Sequence, residues 1–153
     1  MVKIENVRIK LVRESSGLYC SNYISSPVDA AEIAAKHFED MASDREVFSV
    51  MLLDVKNRVI GINVVSIGSL SASVVHPREV FKAAILANAA SIILTHNHPG
   101  GESKPSREDI SITARLVQVG RMMDIPVLDH IIIGDGSGES FSFKGNEIGG
   151  FEK

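Results

Sequence analysis

A mixed β-sheet with helices packed on its faces, an α/β domain of three layers around one core, is the architecture this sequence predicts. Three observations predict it. Apolar runs of strand length stand at residues 45–54, 91–95 and 126–133, separated by helical patterns. A second run, Val59 to Ile67, follows the first across Lys56-Asn57-Arg58, so part of the sheet is a hairpin. The helical patterns each open on a start signal and keep their apolar residues to one side.

Taken in order, Lys3 to Arg13 alternates apolar and polar residues and predicts an opening strand. Ser15 to Ser26 is polar, contains Gly17, and reads as a loop; residues 1–25 together form a lead. Ser26-Pro27 is a helix start, with Ser as cap and Pro at the first helical position, and the helix runs to about Met41. His37 on that helix is expected to be solvated. Gly68-Ser69-Leu70-Ser71 breaks the pattern after the hairpin, and Val74-Val75-His76 leads into Pro77, a second helix start with His76 as its cap. Ser106 opens a third helix, with Ile110, Ala114, Leu116 and Val117 on its inner side and a stop near Gly120. Gly134 to Gly138 is a turn, and Glu139 to Lys144 a final edge strand. The domain is expected to span 26–148, with 149–153 a flexible tail.

Composition narrows the function. At 153 residues the chain is one domain, long enough to bury a core. A net charge of −3 gives no basic field, so direct nucleic-acid binding is not expected. No apolar run reaches the roughly 18 residues that span a bilayer. The opening residues include Glu5 and lack the apolar segment of a secretory signal, so a cytoplasmic location is expected. Cys20 is the single cysteine, which excludes an internal disulfide and a cysteine-cluster zinc site. It also excludes zinc deaminase chemistry, which needs Pro-Cys-x-x-Cys.

The chemistry concentrates at Thr95-His96-Asn97-His98-Pro99-Gly100-Gly101, followed by Ser106-Arg107-Glu108-Asp109. Alternate residues of an extended segment point the same way, so His96 and His98 can aim at one point. The Gly- and Pro-rich loop can fold Asp109 back towards them. Two imidazoles and a carboxylate, with a fourth position left to water, suit catalytic zinc. Ser106 and Asp109 also fit a capping box. Asn97, between the histidines, should point away as a structural hydrogen-bonder. His130, beside Asp129 in a buried strand, is expected to be a core histidine; pairing with Asp129 and support of the site are the alternatives.

His96-Asn97-His98, seven residues, Ser106, two residues, Asp109 resembles the JAMM/MPN zinc metalloprotease motif. His96-Asn97-His98-Pro99 with Pro105-Ser106 and Asp109 is similar to the RadC family in particular. So are Leu53-Asp54-Val55-Lys56-Asn57, Val75-His76-Pro77-Arg78-Glu79-Val80-Phe81 and Val127-Leu128-Asp129-His130. The likeness covers roughly Ser26 to Phe143. Gly100 stands where RadC members usually have Ser. RadC proteins also carry an N-terminal helical region with helix-hairpin-helix character, so this chain resembles a stand-alone catalytic-type domain.

The resemblance implies a cytidine-deaminase-like JAMM/MPN fold and one zinc ion per chain on His96, His98 and Asp109. It implies a glutamate from an early strand that activates water, and Glu46 matches by order and context; Glu79 and Glu102 are the rivals. Ser106 would then help stabilise the oxyanion. The expected function is hydrolysis of peptide or isopeptide bonds in a peptide or protein substrate, with DNA-repair proteins as partners. The competing readings are a non-catalytic, zinc-stabilised interaction module acting with DNA-repair or mobile-element proteins, and a metal-dependent nuclease.

Overall fold

Strand β1 (Val47–Leu53) is buried along its whole length because each of its faces meets a different set of apolar side chains. Phe48, Val50 and Leu52 enter one core with Val80, Phe81, Leu116 and Val117; Val47, Met51 and Leu53 enter the other with Ile33, Ala34 and Phe38. A strand's two-residue period separates the sets, so a continuous apolar run is the signature of a central strand. The computed structural model describes residues 1–68 and 75–153. Ser69 to Ser71 and Val74, read from sequence as part of a break and a lead-in, lie outside the described residues.

Among the described residues the sheet has five strands, in the order β2-β1-β3-β4-β5. β2 (Val59–Ile67), β3 (Ser91–His98), β4 (Val127–Gly134) and β5 (Ser140–Ser142) complete it. β1 pairs antiparallel with β2 and β3, β3 pairs parallel with β4, and β4 antiparallel with β5. Helix α1 (Pro27–Met41) lies on one face, while α2 (Pro77–Leu86) and α3 (Arg107–Met122) belong to the other. This is the expected mixed α/β sheet in three layers, consistent with a JAMM/MPN-type fold.

The helix starts follow the predicted capping chemistry. Ser26 accepts from the Asp29 amide, and the Asp29 carboxylate accepts from the Ser26 amide. His76 caps α2 by accepting from the Arg78 amide at 3.1 Å. These contacts satisfy amides that a first helical turn otherwise leaves unpaired.

Several expectations are corrected. Residues 1–22 form no strand, and Val2, Ile4, Val7 and Ile9 stay exposed. An alternating pattern makes a strand only where a neighbour supplies hydrogen bonds, and the lead first finds one at the isolated Tyr23–Arg58 bridge. β3 continues past Thr95 through both histidines. On α3 Ile110 is 37% exposed, and the inner face is Asp109, Ile112, Thr113, Leu116, Val117 and Gly120. Gly120 lies within the helix, where a Cβ would meet the Ile125 carbonyl at 2.7 Å; the close approach, not a helix stop, explains it. His37 is half-buried and meets the Ser49 hydroxyl at 3.0 Å, and burial lowers its pKa. The tail is docked: Phe151 packs on the α2/α3-side core, and Arg121 donates to the Gly150 carbonyl at 2.9 Å.

Candidate metal centre

β3 carries the histidines because its last residues alternate faces. Ile92, Leu94, His96 and His98 share the face under α2 and α3, while Asn97 points to the other. Asp109 arrives from the first turn of α3. The site therefore lies where the end of a central strand meets a helix N-terminus.

The three side chains converge. His96 Nε2 lies 2.9 Å from His98 Nε2, and Asp109 oxygens lie 3.4 and 3.6 Å from these two nitrogens respectively. His96 is fully buried and Asp109 nearly so. The Asp109 carboxylate is used twice, since it also accepts from the Ser106 amide at 2.7 Å, while the Asp109 amide donates to the Ser106 hydroxyl oxygen at 3.0 Å. The capping box and the ligand set are thus one structure, and the box fixes the carboxylate.

Protonation patterns decide what the cluster wants. His98 Nδ1 is 2.7 Å from the Glu102 carbonyl, which only accepts, so Nδ1 carries hydrogen and neutral His98 presents a bare Nε2. That lone pair faces the Asp109 carboxylate and the neighbouring Nε2. Acceptors crowded together inside a protein call for a cation between them. His96, His98 and Asp109 accordingly form a group able to hold a metal ion, with one ligand atom from each within 4.8 Å of the others.

Electrostatics agrees. Burial opposes charge on Asp109, yet hydrogen bonds with His96 and His98 outweigh it and hold the carboxyl far below its usual range. Interaction with Asp109 raises the pKa of His98. Burial lowers that of His96 despite the same carboxylate, and that of His130 still further. Without a metal, the centre therefore draws its proton to His98.

Glu46 lies immediately before β1, outside the ligand cluster, and its charge acts favourably on both His96 and His98. Strand alternation puts it on the Phe48 side, the face of His96. Asn97 fixes its backbone: the Asn97 Oδ1 accepts from the Val47 amide at 2.7 Å, and its Nδ2 donates to the Arg45 carbonyl at 3.3 Å. The residue between the histidines therefore clamps the two residues flanking Glu46. Glu79 is instead paired with Lys82 at 2.6 Å in the first turn of α2. Glu102 is exposed and serves the site through its backbone carbonyl.

Asn97→Ala is expected to leave the buried Val47 amide without its partner and to lower stability by about 1–3 kcal/mol. Urea unfolding measures this; an unchanged midpoint and slope would refute the clamp.

Sequence reading missed how His130 and Thr113 join the centre. His130 meets His96 Nδ1 at 2.8 Å and the Thr113 hydroxyl at 2.6 Å. Asp129 does not pair with the His130 ring; its carboxylate takes hydrogen bonds from Ser142 and from the Lys144 and His130 amides. A visible signal did exist for Thr113, four residues after Asp109 and hence on the same helix face.

Comparison with known proteins gives a consistent picture. A family model described as the RadC-like JAB domain matches residues 24–148. A UPF0758 protein of Caldanaerobacter subterraneus is 52% identical over 122 residues, 80% of this chain and 52% of that relative. A UPF0758 protein of Desulforamulus reducens is 50% identical over 122 residues, 80% of this chain and 53% of its own length. One from Methanosarcina mazei is 50% identical over 113 residues, covering 74% of this chain and 48% of its own. The chain thus spans about half the length of these curated relatives. Among the described residues no helix is long and apolar enough to cross a membrane. With the match running from the lead to the end of the sheet, through every residue of the metal centre, the chain belongs to the RadC-like JAB domain family.

Proposed function

We propose that this domain is a zinc-dependent hydrolase of peptide or isopeptide bonds. The observation that carries the reading is the convergence of His96, His98 and Asp109; Glu46, whose charge acts on both histidines, supports it as the acid outside the ligand set. Nitrogen and carboxylate donors, with no thiolate, suit zinc with an open coordination position. Bound zinc supplies Lewis acidity, acidifying water and polarising a scissile carbonyl.

The protein's own residues do the rest. Glu46 takes the proton of the attacking water and returns it to the departing amine, which balances the hydrolysis. The Ser106 hydroxyl oxygen accepts from the Asp109 amide, leaving its own hydrogen to donate to a developing oxyanion. Asn97 holds the Glu46 backbone in register with the ligand strand. A purely structural metal would need His96, His98 and Asp109 but no acid set beside them, and Glu46 favours catalysis over the interaction module. A peptide or protein substrate follows from the chemistry, and DNA-repair proteins are proposed as its partners.

The test is hydrolysis of isopeptide-linked and peptide-linked fluorogenic substrates, with zinc added and with zinc chelated. Turnover that chelation abolishes and zinc restores supports the reading; metal binding without turnover on any linkage supports the interaction module. Zinc binding should also be acid-sensitive. Metal must displace the proton that Asp109 helps His98 to hold. Zinc affinity is therefore expected to fall as pH drops below the raised His98 pKa, by about tenfold per pH unit for one displaced proton. Affinity that does not change with pH would contradict the role of His98.

A further inference from the structure

Behind the ligands lies a closed chain of buried polar contacts that the proposed hydrolysis does not use. The Thr113 hydroxyl is 2.5 Å from the Asp109 carbonyl and 2.6 Å from His130 Nδ1, and His130 Nε2 is 2.8 Å from His96 Nδ1. His130 and Thr113 are fully buried. The His130 ring is held between aromatic neighbours, stacked on Phe143 with centroids 4.6 Å apart and edge-on to Phe48 at 5.5 Å.

The direction of each hydrogen bond can be worked out from one end. A carbonyl only accepts, so the Thr113 hydrogen points to Asp109. The Thr113 oxygen must then accept, so His130 Nδ1 carries hydrogen. A second hydrogen on His130 would make it a cation in an aromatic enclosure, where desolvation is severe. Its Nε2 is therefore a bare acceptor, and the hydrogen between the two rings belongs to His96 Nδ1. This leaves His96 Nε2 bare, aimed at His98 and Asp109.

We propose that His130 and Thr113 are positioning residues that lock His96 in the Nδ1–H tautomer, so that its Nε2 is ready as a ligand before any metal arrives. The chain runs from one ligand residue, Asp109, through Thr113 and His130 to another, His96. It couples the first turn of α3 to the end of β3 through β4. His98 is set in the same state by a different donor–acceptor pair, the Glu102 carbonyl. The tautomer assignment stands on hydrogen-bond geometry; its consequence for metal rests on the metal-centre reading.

Two measurements on the full chain test this. In metal-free protein, at a pH where the imidazoles are neutral, long-range ¹H–¹⁵N correlation spectra are expected to show His96 as the Nδ1–H tautomer. His96 found as the Nε2–H tautomer overturns the proposal. Zinc affinity, measured by competition with a chromophoric chelator, is expected to weaken about 10–100-fold in Thr113→Val and to recover in Thr113→Ser. Folding of each variant is checked by circular dichroism. If folded Thr113→Val binds zinc as tightly as the wild type, the relay is overturned. A wild-type chain with the Nδ1–H signature but no zinc affinity would sustain the tautomer lock and refute the metal reading.

Discussion

Asp109→Asn is expected to abolish metal binding while leaving the domain folded. The asparagine side chain keeps an oxygen that can accept from the Ser106 amide, and the Asp109 amide still donates to the Ser106 hydroxyl. Helix α3 should therefore stay capped, with stability changed by about 1 kcal/mol. What disappears is the one negative charge among the three ligands. Nothing else in the cluster neutralises a divalent ion, so zinc affinity should fall well beyond the roughly 10–100-fold that losing an outer hydrogen bond costs. Calorimetric titration with zinc, beside a thermal melt of the metal-free protein, separates the two effects. Retained tight binding would place the metal elsewhere.

Glu46→Gln carries the second large effect, with the opposite signature. Glu46 is not in the ligand cluster, so zinc content should persist. Hydrolysis should fall by about 10²–10⁴-fold, the usual contribution of a general acid–base residue. Because Glu46 also raises the pKa of His98, the acid limb of zinc binding should move to lower pH in the variant. Activity that survives the substitution would return the role to another acid. Loss of zinc together with activity would make Glu46 a ligand rather than a proton carrier.

Much of this was legible in the chain, for specific reasons. β1 and β4 announced themselves because strands buried on both faces have no polar alternation to disguise them. Ser26-Pro27 and His76-Pro77 marked helix starts because capping is local chemistry. The ligand set was legible because His96 and His98 sit two apart on a strand and Asp109 lies in the first turn of the next helix.

What was not legible depends on partners distant in sequence. The alternating lead at residues 3–13 has the pattern of a strand but no strand partner among the described residues. Ile110 suits an inner helix face by composition, yet α3 turns Asp109, Ile112, Thr113, Leu116 and Val117 inward, which leaves Ile110 outside. Phe151 packs on a core whose residues lie from Phe48 to Val127, far back in the chain. His130 reaches His96 across 34 residues and Thr113 across 17, and no local pattern encodes either contact.

The most direct measurement is the metal content of the native protein, purified without chelator and analysed by elemental mass spectrometry beside His96→Ala. The structure's convergent, bare ligand atoms predict about one zinc per chain in the native protein, in keeping with a single open catalytic site, and none in the variant. A native chain that carries no metal and retains none after equilibration with zinc would contradict the account at its root.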